Sequence, residues 1–188
     1  MEGEQMAGHS ILLVDDEAPI LKALSRLLQY EGYNIRATTS PEEAVEILRK
    51  EEIHLVISDH TMPDMTGIEV LRKARLLRPD TVRVILTGNA DLDMAMDAIN
   101  QGEIYRFLTK PWDNNDLLVT VRLGLREFEI RQQNRRLTAV VRNQAETIKR
   151  LQTGSGEAAA APKPRTSGSG IFTISEEELA ALEKEYDL

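Results

Sequence analysis

Three carboxylates, a hydroxyl and an amine each follow a short apolar run in this 188-residue chain. Asp15 and Asp16 close "ILLV", Asp59 closes "IHLVIS", Thr87 closes "VRVIL", and Lys110, followed by Pro111, closes "IYRFLT". Adjacent like charges repel, so acids converging from several runs require a cation between them. Oxygen ligands, no cysteine in the chain and no paired histidines point to a hard ion, Mg2+. The metal accounts for the acids but not for the hydroxyl and the amine. Phosphoryl transfer uses both: an Asp carboxylate can act as nucleophile and form an aspartyl-phosphate, with metal and ammonium offsetting charge on the transferring oxygens. Thr87 would then donate to one phosphoryl oxygen and Lys110 would pair with another. Taken alone, Asp15 and Asp16 would serve as well to cap a following helix. Asp59 and Lys110 shift the weight toward the metal.

These groups meet only if the runs lie side by side. "SILLVD", "YNIRATT", "IHLVIS", "VRVILT" and "IYRFLT" alternate with helical patterns, which predicts βα units and a parallel sheet covered on both faces. Ile20, Leu21, Leu24, Leu27 and Leu28 form one core-facing stripe, Ala44, Val45 and Leu48 a second, and Ile68, Leu71 and Leu77 a third. Ser40-Pro41 with Glu43 just inside reads as a helix cap followed by proline at the first helical position. Met94 and Met96 are expected to pack on the fourth helix. In an open parallel sheet, ligands bind outside the carboxyl ends of the strands. Four of the five runs place their chemistry there.

The remaining composition narrows the function classes. With 41% hydrophobic residues, 29% charged and a formal charge of −8, the chain suits one globular α/β domain with extra material, and it lacks the basic balance of a duplex-DNA reader. "MEGEQMAGHS" has neither the charge nor the apolar run of a signal peptide, and no stretch approaches the roughly 20 apolar residues that span a bilayer. No nucleic acid, no membrane insertion and a cytoplasmic location are the expectations.

After Pro111 a helical pattern runs to about Gln152, too long for one covering helix, which would end near Arg126. From Ile130 the apolar positions take 4-3 spacing, with Ile130, Leu137 and Leu151 at d, Val141 and Ile148 at a, and polar Asn134 and Gln144 interrupting. This predicts a weakly dimeric coiled-coil stem and hence a homodimer. Its arginines suit the solvated outer face of a coil better than a nucleic-acid surface, for no aromatic residues interleave them. "TGSGEAAAAPKPRTSGSG" reads as a flexible linker, and "IFTISEEELAALEKEYDL" as a short amphipathic helix with a capping box at Ser175 and Glu178. The expected organisation is a flexible N-terminus (1–8), a globular domain (9–126), a stem (127–152), a linker (153–170) and a tail (171–188) that offers a surface to a protein partner or, as the alternative, docks on its own chain.

"VDDE", "ISDHTMPDMTG", "ILTG" and "FLTKPW" together resemble the receiver domain of two-component response regulators over about residues 9–126. The resemblance implies a doubly wound (βα)5 fold, a five-stranded parallel sheet in flavodoxin-like order 2-1-3-4-5 whose last helix is here extended. It implies Asp59 as phospho-acceptor; Asp16, Asp59 and the backbone carbonyl of Thr61 as metal ligands; and Asp15 acting mainly through metal-bound water. Thr87 and Lys110 assist catalysis of the transfer, Lys110-Pro111 is joined by a cis peptide, and Phe107 stands at the aromatic switch position without the hydroxyl of a tyrosine. His60, beside Asp59, is expected to be a partly exposed loop residue with no role.

The function that follows is a switch rather than an enzyme. A sensor histidine kinase or histidine phosphotransfer protein supplies phosphate to Asp59, and output passes through the face formed by helix 4, strand 5 and helix 5 and through the dimeric stem. The alternative is a regulatory front end for a separate or missing enzyme, such as a cyclic-dinucleotide phosphodiesterase or a kinase, which "INQGEIYRFLTKPWD" before a long helix resembles. A transcription factor would need a helix-turn-helix of roughly 60 residues, which the segment after Gln152 does not offer.

Overall fold

The computed structural model of the chain describes residues 8–88 and 92–154. Five strands, β1 (Ser10–Val14), β2 (Asn34–Thr38), β3 (Leu55–Asp59), β4 (Val82–Thr87) and β5 (Arg106–Thr109), form one sheet in the order 2-1-3-4-5. Every pairing is parallel. The connecting helices are α1 (Ala18–Tyr30), α2 (Pro41–Lys50), α3 (Gly67–Leu77) and α4 (Leu92–Asn100), and α5 (Asn114–Gly154) follows β5. The sheet and its two cores lie within Met1–Ala145, one of two compact units of the chain; of the other, Glu146–Leu188, the described residues are the end of α5.

Strand side chains alternate, so each central strand feeds two cores. Ile11, Leu13, Leu55, Ile57, Val82, Val84 and Leu86 meet Leu21, Leu24 and Leu28 of α1 and Leu117, Val121, Leu125 and Phe128 of α5. Leu12, Val14, Val56 and Ile85 meet α2, α3 and α4 on the other face. The helix starts carry their own signals. Ser40 Oγ accepts from the Glu43 N–H at 3.2 Å. Thr66 and Glu69 form a reciprocal capping box at α3, the T-x-x-E pattern of a helix start. Asp113 Oδ1 accepts from the N–H groups of Asn115 and Asp116 at the start of α5.

Three expectations need correction. Leu77 is 37% exposed: at about 100° per residue it falls at the edge of the stripe that Leu71 and Ala74 set. Met96 is 51% exposed, since α4 buries Ala98, and Met96 lies about 200° round the helix from it. The covering helix does not stop near Arg126. Its buried face reaches Phe128, whose ring meets His54 edge-on at 4.7 Å, and its polar contacts reach Gln132, which donates to Glu52, and Arg135, paired with Asp80 at 2.8 Å. Gly124 allows this close seat, because a Cβ there would stand 2.8 Å from Leu55 Cδ1. Burying Leu117, Val121 and Leu125 contributes roughly 1.5–3 kcal/mol each, which outweighs the ~1 kcal/mol that glycine costs inside a helix.

On the side turned away from these contacts and beyond them, α5 exposes Ile130, Leu137, Val140, Val141 and Ile148. Asn134 lies in the same exposed stretch. Helix continues through Thr153 and Gly154, where the linker was expected to begin. The side chain of Leu151, that of Met94, residues 1–7 and the linker and tail from 155 to 188 lie outside the described residues.

Candidate functional site

The carboxyl ends of β1, β3, β4 and β5 bring the sequence-predicted groups to one edge of the sheet. Asp15 follows β1 and is fully buried, Asp16 beside it is exposed, and Asp59 ends β3 and is buried. Each offers a carboxylate oxygen, and those oxygens lie within 4.8 Å of one another. Lys110 reaches between two of them, with Nζ 2.8 Å from Asp15 Oδ2 and 2.7 Å from Asp59 Oδ1. Its peptide bond to Pro111 is cis.

Three carboxylates against one ammonium leave two negative charges. Carboxylates less than 5 Å apart repel by roughly 3.5 kcal/mol each pair at an effective dielectric constant of about 20, more than the ~1 kcal/mol net of an ordinary hydrogen bond. Burial pushes the Asp15 carboxyl up against the pull of Lys110 and of the Glu17 N–H, and the Asp59 charge adds to the rise. Burial works against the Lys110 ammonium, but its hydrogen bonds to Asp15 and Asp59 prevail and hold it above the usual lysine range. A divalent cation would cancel the residual charge. The donor set, all oxygen, fits Mg2+. Asp16 and Asp59 are the acids best placed to meet it directly, because both Asp15 oxygens already accept, Oδ2 from Lys110 and Oδ1 from the Glu17 N–H at 2.8 Å.

Local structure explains why Asp59 sits where it does. Ser58 Oγ donates to the Asp59 carbonyl at 3.0 Å, and the Gly67 N–H donates to the His60 carbonyl at 3.0 Å. A Cβ on Gly67 would stand 1.9 Å from the Asp59 carbonyl oxygen. Glycine is therefore obligatory where α3 begins against the end of β3. Neither Ser58 nor Gly67 was singled out from the sequence, although the glycine closes "DMTG". His60 is 6% exposed rather than partly exposed, drawn in because its N–H donates to the Leu86 carbonyl at 2.8 Å while its own carbonyl holds Gly67. Thr61 follows it and is exposed.

Thr87 ends β4 and is fully buried, and its hydroxyl donates to the Gly88 carbonyl at 3.1 Å. Phe107, paired in register with Ile85, is partly buried against the core on the α3 and α4 face. On β1, the helix-cap alternative for Asp15 and Asp16 does not hold: Glu17 is the N-cap of α1, and its side chain makes no capping bond.

A parallel five-stranded sheet with an acidic crevice and a bridging lysine at its carboxyl edge defines a doubly wound α/β domain with a charged site at the strand ends. The family model described as the response regulator receiver domain matches residues 11–122, and the chain belongs to that family. It is 31% identical over 124 residues to the hydrogenase transcriptional regulatory protein HoxA of Bradyrhizobium diazoefficiens, covering 66% of this chain and 25% of that protein. Among solved structures it resembles one named adenylate cyclase from Rhodopirellula baltica (34% identity, 70% of this chain and 98% of that one, TM-score 0.68). It also resembles the signal receiver domain of an HD domain-containing protein from Pseudomonas fluorescens (38% identity, 66% and 92%, TM-score 0.63). The chain spans 25% to 38% of the length of the curated relatives first matched. Among the described residues no helix is long and apolar enough to cross a membrane.

Proposed function

We propose that the chain is a Mg2+-dependent phospho-acceptor that takes a phosphoryl group from a histidine kinase or histidine phosphotransfer protein onto Asp59. The observation that carries this is the pair of short contacts from Lys110 to Asp15 and Asp59 inside a cluster that still holds two uncompensated charges. Asp16, Asp59 and the Thr61 carbonyl would hold the ion, with Asp15 ordering its water; the ion would offset charge on the transferring oxygens. An Asp59 oxygen attacks phosphorus, the bond to the donor breaks, and the donor leaves with its electron pair. Lys110 then exchanges its Asp59 carboxylate contact for a phosphoryl oxygen. Thr87, giving up its bond to the Gly88 carbonyl, donates to another, and Phe107 follows it inward.

Output passes through the face of α4, β5 and α5 and through a homodimeric stem closed by Ile130, Asn134, Leu137, Val141, Ile148 and Leu151. Four of these side chains are apolar and more than half exposed in the single chain. A protein partner for the tail belongs to the same reading. A second reading, the input module of a larger regulator or enzyme, is favoured by the similar structures named adenylate cyclase and HD domain-containing protein and by the short span of the curated relatives.

With Mg2+ and acetyl phosphate, intact-mass measurement should show one phosphate on the wild type, stable in acid and labile in base, and none on Asp59→Ala. Uptake that persists in Asp59→Ala would move the acceptor elsewhere.

A further inference from the structure

Arg83 is 5% exposed, yet it carries a guanidinium into the core. Burial, with Arg131 and Arg75 nearby, pushes it down to about 10. Among the described residues its acceptors are main-chain carbonyls: Nε donates to Glu103 at 2.6 Å, one terminal nitrogen to Thr81 at 2.8 Å and the other to Gly102 at 3.4 Å. Burying such a charge is costly, and an apolar side chain of similar volume would often be no less stabilising. Its placement supplies the reason. Gly102 and Glu103 lie immediately beyond α4, where cations favour the helix dipole. The Gly102 N–H donates to Ile99, and the Glu103 and Ile104 N–H groups donate to Ala98, which closes the last turn. Glu103 in turn accepts from Arg72 of α3 at 2.7 Å.

β4 aims Arg83, Ile85 and Thr87 at one face, the face that α3 and α4 cover. Four residues of strand put the Arg83 and Thr87 positions roughly 13 Å apart, and the nine residues of α4 span roughly the same length. One strand thus presents a guanidinium at one end of the helix and a buried hydroxyl near the other. We propose that Arg83 is a positioning residue that pins the carboxyl end of α4, so that movement of the helix is confined to the end nearer Thr87. The direction of that movement rests on the proposed phospho-switch, but the pin itself does not.

Amide hydrogen exchange on the full chain tests it, with Mg2+ alone and with Mg2+ plus acetyl phosphate. In Arg83→Met the amides of Gly102, Glu103 and Ile104 should exchange about tenfold faster than in the wild type, while those of β1 and β3 keep their rates and phosphate uptake by Asp59 stays within twofold. Phosphorylated wild type should change its exchange in the first half of α4 and not in residues 101–104, and in Arg83→Met the change should spread over the whole helix. Unaltered exchange at 102–104 in Arg83→Met, or a uniform rise that includes β1 and β3, would overturn the pin. Should Arg83→Met fail to fold, Arg72→Met releases only the Glu103 carboxylate and should still speed those amides about threefold; no change there counts against the proposal. A wild type that takes up no phosphate would refute the proposed function and leave the comparison in Mg2+ alone to decide about Arg83.

Discussion

The two ends of the sheet are built on opposite electrostatic plans. At the carboxyl edge Asp15 and Asp59 share one ammonium, Asp16 lies beside them, and the cluster keeps a surplus of negative charge. At the amino edge most polar groups are matched, although among the described residues Glu103 Oε2 is buried without a hydrogen-bond partner. His54 Nδ1 accepts from the Ser10 N–H at 2.7 Å, Arg135 pairs with Asp80, His9 stands 3.4 Å from Glu129, and Arg83 donates to three main-chain carbonyls. One pole holds uncompensated charge, and the other holds α5 through packing and polar contacts that reach Arg135. The proposed switch would need both, for a displacement at one end is transmitted only if the other end does not yield.

The largest effect expected from this contrast is at the fixed pole. Phe128→Ala removes a ring that is 5% exposed and packed on His54, and it should destabilise the protein by about 3 kcal/mol. Urea denaturation should give the same loss with and without Mg2+, because nothing at this pole recognises the ion. A loss that Mg2+ repairs would mean the two poles are not separate.

Lys110→Met tests the opposite pole and should cost about 2–3 kcal/mol in metal-free buffer, since it strands two buried carboxylates; the 20% exposure of the lysine side chain tempers the penalty. Here saturating Mg2+ should restore most of the stability. A loss insensitive to Mg2+ would argue that the acids do not share one ion.

Much of this contrast was legible in the sequence, though unequally. The apolar runs alternate so regularly, and end so consistently in Asp, Thr or Lys, that a parallel sheet and the carboxyl-edge cluster could be anticipated from the residues, while the strand order came only from the resemblance they carry. The amino edge was not. His9, His54, Asp80 and Arg83 are scattered singly, without a motif, and acquire partners only when β1, β3 and β4 start side by side. The reach of α5 to Phe128 was hidden for the same reason: its covering stripe and its 4-3 stem pattern overlap between residues 125 and 130, and periodicity alone cannot say which one a position serves. Gly67 was invisible as a requirement until the carbonyl of Asp59 was placed against it.

The third effect concerns what the fixed pole releases. Asn134 interrupts an apolar seam at an a position, where a polar residue specifies register at the expense of stability. Asn134→Leu should tighten self-association about tenfold, or ~1.4 kcal/mol, and admit oligomers other than dimers. Analytical ultracentrifugation measures both. A wild type that stays monomeric at tens of micromolar, and an Asn134→Leu variant that does the same, would remove the stem as a dimeriser and leave the pole gripping a helix with no partner.

The smallest effect is a titration at the fixed pole. Burial, with His9 beside it, holds the His54 imidazole below its ordinary range, and Glu52 opposes this only in part. Its Nδ1 must stay unprotonated to accept from the Ser10 N–H. A histidine lowered in the folded state is protonated more readily in the unfolded chain, so its contribution to stability is complete above the unfolded value of about 6.5 and falls away as the pH drops through the folded one. The charged and titratable groups at this spot are His9, Glu52 and Glu129, and Glu129 lies against His9 rather than His54. Denaturation midpoints should therefore decline from pH 7.5 to pH 5.5 in the wild type. His54→Asn, whose amide oxygen can still accept from Ser10 and does not titrate, should flatten that decline. A wild type with equal midpoints at both pH values, or a His54→Asn variant that keeps the full slope, would show that the amino edge is less strictly matched than its contacts imply and would weaken the contrast between the poles from its firmer side.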